Sequence, residues 1–185
     1  MNIPNFLSLL RIILVPFIVI FLIQDSYGKA LFAFTLAGVT DALDGTLARL
    51  LNRQTVLGAY LDPIADKLLL TASFVTLSIL GIIPSWLTVI VISRDFIILL
   101  GIAILSMISV PYVIKPAFAG KMTTVLQIGL IFLALLFQAV SYSVSYEWIK
   151  ILCWLTGIFT VASGLIYITR GIKLINNAAL KDDKK

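Results

Sequence analysis

Asp41-Ala42-Leu43-Asp44-Gly45-Thr46-Leu47-Ala48-Arg49 and, after a short connection, Gly58-Ala59-Tyr60-Leu61-Asp62-Pro63-Ile64-Ala65-Asp66 set four carboxylates into an otherwise apolar stretch. Asp41 and Asp44 stand three apart, so on a helix they project from one face, and Gly45 and Ala48 fall on that face too. Gly58, Asp62 and Asp66 stand four apart and line one face of a second helix, with Pro63 in its first turn or at a kink. Small residues beside carboxylates leave room for a bulky ligand to approach the backbone.

The surrounding composition says what kind of helices these are. Of 185 residues, 61% are apolar and 12% charged, and the mean hydropathy is +1.09. A soluble domain is nearer half apolar and a quarter charged, so a soluble monomer is excluded, and so is disorder. Six apolar segments follow from the pattern, at about 6–23, 30–51, 61–83, 86–108, 122–140 and 148–168. A spanning helix needs roughly 20 residues, and short connections carrying Gly, Pro, Ser and Asn separate the segments. The expected fold is an all-α integral membrane protein with six transmembrane helices around a cytoplasm-facing polar cavity. The expected organisation is one domain over residues 1–170 and a basic polar tail over 171–185.

Orientation is read from the cations. With the N-terminus in the cytoplasm, 12 of the 14 Lys and Arg fall on the cytoplasmic side, leaving only Lys29 and Lys150 outside. Both termini are therefore expected on the cytoplasmic side of the cell membrane. Met1 to Phe6 lacks the basic start of a cleavable signal, so the first apolar segment reads as the first span. The net charge of +5 fits contact with anionic lipid. No basic cluster on a soluble surface points to nucleic acid as a partner. The chain has no His and a single Cys, Cys153, which rules out imidazole ligands, CxxC metal sites and Ser-His or Cys-His nucleophile pairs.

Carboxylates at bilayer depth are costly and face a cavity, a partner or an ion. Two Asp three apart are common on their own, but four at ordered spacings in a chain with nine acids form a pattern. A site of carboxylates without His or Cys is hard and all-oxygen. It suits Mg²⁺ or Mn²⁺, with room for two ions, rather than Zn²⁺. Such ions bridge phosphate oxygens, and Arg49, Lys67, Arg94 and Lys121 are cations available for more phosphate. An ion or proton path of a transporter is the rival from another class. For Arg94 the plain alternative is an ion pair with an acid such as Asp95, and for Lys121 an interfacial anchor.

The eight positions Asp41, Asp44, Gly45, Ala48, Arg49, Gly58, Asp62 and Asp66, at this spacing, resemble the signature of the CDP-alcohol phosphatidyltransferases. The opening Asn2-Ile3-Pro4-Asn5-Phe6-Leu7-Ser8, followed by Arg11, resembles the start of two branches of that family. These are the phosphatidylglycerophosphate synthases and the CDP-diacylglycerol-dependent cardiolipin synthases. Ser93-Arg94-Asp95 and Gly120-Lys121 with Thr124 and Gln127 resemble later stretches, so the likeness spans nearly the whole chain.

The resemblance implies an enzyme of phospholipid biosynthesis that moves the phosphatidyl group of CDP-diacylglycerol to an alcohol and releases CMP. Carried over by position, Asp41, Asp44, Asp62 and Asp66 hold two divalent ions on the pyrophosphate, and Asp66 is also the general base. Gly45, Ala48, Arg49 and Gly58 line the nucleotide pocket, with Asn5 as a further contributor. Arg94 and Lys121 are the expected binders of an acceptor phosphate. Phosphatidylglycerophosphate synthases typically show Arg-Glu at Arg94-Asp95, a second Arg at Gly101 and another Lys at Thr123. These departures lean toward the cardiolipin-synthase branch, whose acceptor is phosphatidylglycerol. Glycerol 3-phosphate is still placed first, on the prior that its synthases are the commoner bacterial enzymes at this size. Direct in-line displacement is the expected route, with a covalent aspartyl intermediate left open. A homodimer is implied only by the resemblance. Gly157 and Gly164 could serve packing between chains or within one.

Overall fold

The computed structural model describes the backbone of residues 3–51, 56–107, 118–140 and 146–182 and the side chains of 7–41, 62–105, 118–140 and 147–174. Among the described residues lie six helices: α1 (Ile3–Ile23), α2 (Tyr27–Leu51), α3 (Val56–Ile79), α4 (Ser85–Met107), α5 (Phe118–Val140) and α6 (Tyr146–Asp182). Three regions within them are long and apolar enough to cross a membrane: Ser85–Leu105, Phe118–Val140 and Glu147–Leu174. Large apolar side chains such as Phe32, Ile79, Val89, Phe96 and Trp148 lie exposed on the helix surfaces. A lipid-facing exterior accounts for that exposure, whereas water would penalise it. The apolar helices fit a membrane protein.

The helix ends depart from the sequence expectation in informative ways. α2 and α3 begin earlier than the apolar runs, at Tyr27 and Val56, and α6 continues to Asp182 rather than stopping near Ile168. Polar residues carry a helix beyond the apolar stretch, because backbone hydrogen bonding does not depend on side-chain hydropathy. Pro63 lies inside α3 and Pro16 inside α1. α3 closes with a glycine cap: Ile82 N–H donates to Leu77 O at 3.0 Å and Gly81 N–H to Ser78 O at 3.0 Å. Gly81 sits at φ 72°, the left-handed conformation this cap requires. α1 ends in the same pattern, with Ser26 N–H to Phe21 O at 2.8 Å and Asp25 at φ 53°. Asp is among the residues that tolerate this region.

α1 packs on α2 and α3, α6 packs on α4 and α5, and α2 meets α5 across the middle. The buried apolar cluster is drawn from the C-terminal halves of α1, α3 and α5 and the N-terminal halves of α2, α4 and α6. Ile18, Phe34, Phe74, Leu87, Leu135 and Cys153 are among its members. Hydroxyls within the bundle bond backbone: Thr156 donates to Leu152 O and Thr160 to Thr156 O. Thr123 also reaches across to Phe159 O at 3.1 Å, joining α5 to α6. Such bonds satisfy a hydroxyl where no water is available.

Candidate functional site

The charged residues gather away from that apolar cluster. Ser8 and Arg11 lie in the first half of α1, Asp41 in the second half of α2, and Asp62 and Asp66 in the first half of α3. Arg11 is fully buried. Its Nη1 donates to Asp66 Oδ1, and its Nη2 lies 2.8 Å from Asp41 Oδ1. That second contact is an ion pair without hydrogen-bond alignment, and Arg11 Nε has no partner among the described residues. Ser8 Oγ donates to Asp62 Oδ1. One face of α1 therefore touches three carboxylates from two helices. The Asp41 and Asp66 side chains stay 49% and 44% exposed, so each keeps oxygen surface open on its other side.

Asp44, Gly45, Ala48 and Arg49 fall within α2, Gly58 within α3 and Asn5 within α1. Their side-chain environments lie outside the described residues. Among the described residues, no three His, Cys, Asp or Glu side chains are grouped closely enough to hold a metal ion. The donor chemistry nonetheless fits a divalent ion. The oxygens are all carboxylate, and a positive charge already bridges Asp41 and Asp66.

A second cluster begins at the next residue of α3. Lys67 Nζ lies 2.5 Å from Asp95 Oδ2, and Asp95 Oδ1 accepts from Arg94 Nη1 at 2.7 Å. Arg94 Nη2 donates to Ser163 Oγ at 2.9 Å, and its guanidinium carbon lies 5.7 Å from the Tyr167 ring centre. Arg94 and Asp95 are both buried. Burial of such a pair is tolerated because the charges are paired, although Arg94 Nε has no hydrogen-bond partner among the described residues. A cavity of about 280 Å³ opens here, lined by Lys67, Arg94, Asp95, Lys121, Thr124 and Tyr167 among others. Gly120 forms part of its wall, where an added Cβ would stand 3.0 Å from Tyr167 Oη and 3.4 Å from Arg94 Nη2.

The structure thus brings Arg94 and Lys121 to one cavity and places Asp41, Asp62 and Asp66 against one helix. Arg94 does pair with Asp95, and it lines the cavity as well. The sequence assigns no role to Arg11, Ser8, Ser163 or Tyr167, and it offers Asp95 only as an ion-pair partner for Arg94, which the structure shows. A signal existed for Arg11, as the only charge between Met1 and Gln24.

These features define a class first: a helical protein with membrane-type apolar surfaces and a charged interior at one end of the bundle. The comparison with known sequences is more specific. Residues 1–162 match the family model for CDP-alcohol phosphatidyltransferase, and the chain belongs to that family. It is 34% identical to human cardiolipin synthase (CMP-forming) over 190 aligned positions, covering 94% of this chain and 63% of that relative. It is 32% identical to the CDP-diacylglycerol–glycerol-3-phosphate 3-phosphatidyltransferase of Bacillus subtilis, covering 91% of this chain and 94% of that relative. A probable phosphatidylglycerophosphate synthase of Mycobacterium tuberculosis is 37% identical, covering 72% of this chain and 67% of that relative. The chain thus spans less than two thirds of the human and rat cardiolipin synthases it matches.

Proposed function

We propose that this chain transfers the phosphatidyl group of CDP-diacylglycerol to an alcohol and releases CMP. The observation that carries the reading is the adjacency of Asp66 and Lys67 on α3. One belongs to the carboxylate group, the other to the cationic cavity. Donor pyrophosphate and acceptor would then meet across one helix.

In this reading Asp41, Asp44, Asp62 and Asp66 hold two Mg²⁺ or Mn²⁺ ions. Bound there, such ions would neutralise charge on the pyrophosphate oxygens. Gly45, Ala48 and Gly58 admit the nucleotide close to the backbone, and Arg49 and Asn5 contribute to its binding. Arg94 and Lys121 hold the acceptor phosphate. Asp66 takes the proton of the acceptor hydroxyl as its oxygen attacks phosphorus, and the bond from that phosphorus to the CMP oxygen breaks. Glycerol 3-phosphate is the first acceptor and phosphatidylglycerol the alternative. The names of the Bacillus subtilis and human relatives support one each.

The proposed setting is the cell membrane, with residues 1–170 forming a domain of six spans. The cavity and both termini face the cytoplasm, and 171–185 forms a basic extension. A homodimer belongs to the same proposal. The test supplies purified protein with CDP-diacylglycerol, Mg²⁺ and either acceptor, and measures CMP. Glycerol-3-phosphate-dependent release is expected, and phosphatidylglycerol-dependent release would reverse the acceptor order. Absence of CMP release with both acceptors would remove the transferase reading. Asp66→Asn should abolish turnover while sparing CDP-lipid binding better than Asp41→Asn does. Equal loss of binding would remove the base role.

A further inference from the structure

A fully buried guanidinium in contact with two carboxylates is a strong electrostatic commitment, and Arg11 makes it to Asp41 and Asp66. Neither carboxylate is enclosed by the contact, since both remain nearly half exposed. Arg11 itself is incompletely satisfied, because its Nε has no partner and its Nη2 lacks hydrogen-bond alignment among the described residues. A cation that is well placed in charge but poorly satisfied in hydrogen bonding is one that a better cation can replace. The three described carboxylates Asp41, Asp62 and Asp66 together with Arg11 also leave net negative charge, so the group still attracts a divalent ion.

We propose that Arg11 is a resident counter-cation that holds Asp41 and Asp66 in the metal-free protein and is displaced from them when a divalent ion binds. This rests on the metal-binding reading given above. Arg11 is a positioning residue: it keeps α2 and α3 drawn toward α1, so the carboxylates are gathered before the ion arrives. It also weakens the ion's hold, because both compete for the same oxygens. By linkage, the contribution of Arg11 to stability must then be larger without metal than with it.

The experiment titrates Mn²⁺ into the purified full chain in detergent micelles, following free Mn²⁺ by electron paramagnetic resonance, with thermal unfolding measured in chelator and in saturating Mn²⁺. Arg11→Gln is expected to bind Mn²⁺ about tenfold more tightly than the parent chain. Its melting temperature should fall clearly below that of the parent in chelator and approach it in Mn²⁺. If Arg11→Gln does not fold, Arg11→Lys serves, since a single ammonium pairs with one carboxylate at a time. It is expected to bind about threefold more tightly. Unchanged or weaker Mn²⁺ binding in the variant, alongside normal binding by the parent, overturns the proposal alone. Failure of the parent chain to bind Mn²⁺ overturns the metal reading and this proposal with it.

Discussion

Lys67 on α3 and Asp95 on α4 meet at 2.5 Å, and Asp95 also holds Arg94 at 2.7 Å. One carboxylate thus ties together two cations that would otherwise repel across the same cavity. Arg94 extends the tie to α6 through Ser163. Three helices are therefore fixed around a cavity by charge-assisted bonds as well as by side-chain packing.

Asp95→Asn should be costly, because it leaves a buried Arg94 without its counter-charge. A loss of about 3 kcal/mol of stability is expected from removing one partner of a buried pair. Denaturant unfolding in micelles measures it, and Asp95→Glu should recover most of the loss. Equal stability of Asp95→Asn and the parent would show that the tie contributes little.

Gly120→Ala should act on the cavity more than on the fold. The new methyl would stand 3.0 Å from the Tyr167 hydroxyl and 3.4 Å from Arg94 Nη2, so both groups must yield a little. In the proposed reaction the acceptor KM is expected to rise about fivefold with kcat changed less. A kcat loss at unchanged KM would place the cavity elsewhere in the cycle.

At Gly157 the obstacle is a ring. An added Cβ would stand 2.8 Å from Trp86 Cζ3, and Trp86 lies 4.8 Å from Trp154 between ring centres. Gly157→Leu should overpack the α4–α6 contact and cost about 2 kcal/mol. Gly157→Ala should cost less, because the Trp86 ring is partly exposed and can tilt. Melting temperature and tryptophan emission together report both effects.

Much of the architecture was legible because hydropathy and helical period are local. The segments near 86–108 and 122–140 correspond closely to α4 and α5. Boundaries failed where polar residues continue a helix, as from Arg170 to Asp182 in α6. The turn at Asp25 carried no glycine to announce it. The carboxylate spacing was equally legible, since it lies within single helices. What Arg11 touches was not, because its contact with Asp66 spans 55 residues of sequence. The Lys67–Asp95 pair is of the same kind: a pairing between helices leaves no periodic trace on either one.

The separation of a charged end from a packed apolar end has a further consequence. Beyond Arg11, Asp66 and Arg94 lie Phe34, Phe74, Leu87 and Leu135, which are buried together and carry no charge. Among the described residues, the charged end thus gives way to an apolar plug. In the proposed reaction, charged reactants would be handled on the polar side of that plug, and the apolar packing beyond it would keep the permeability barrier intact.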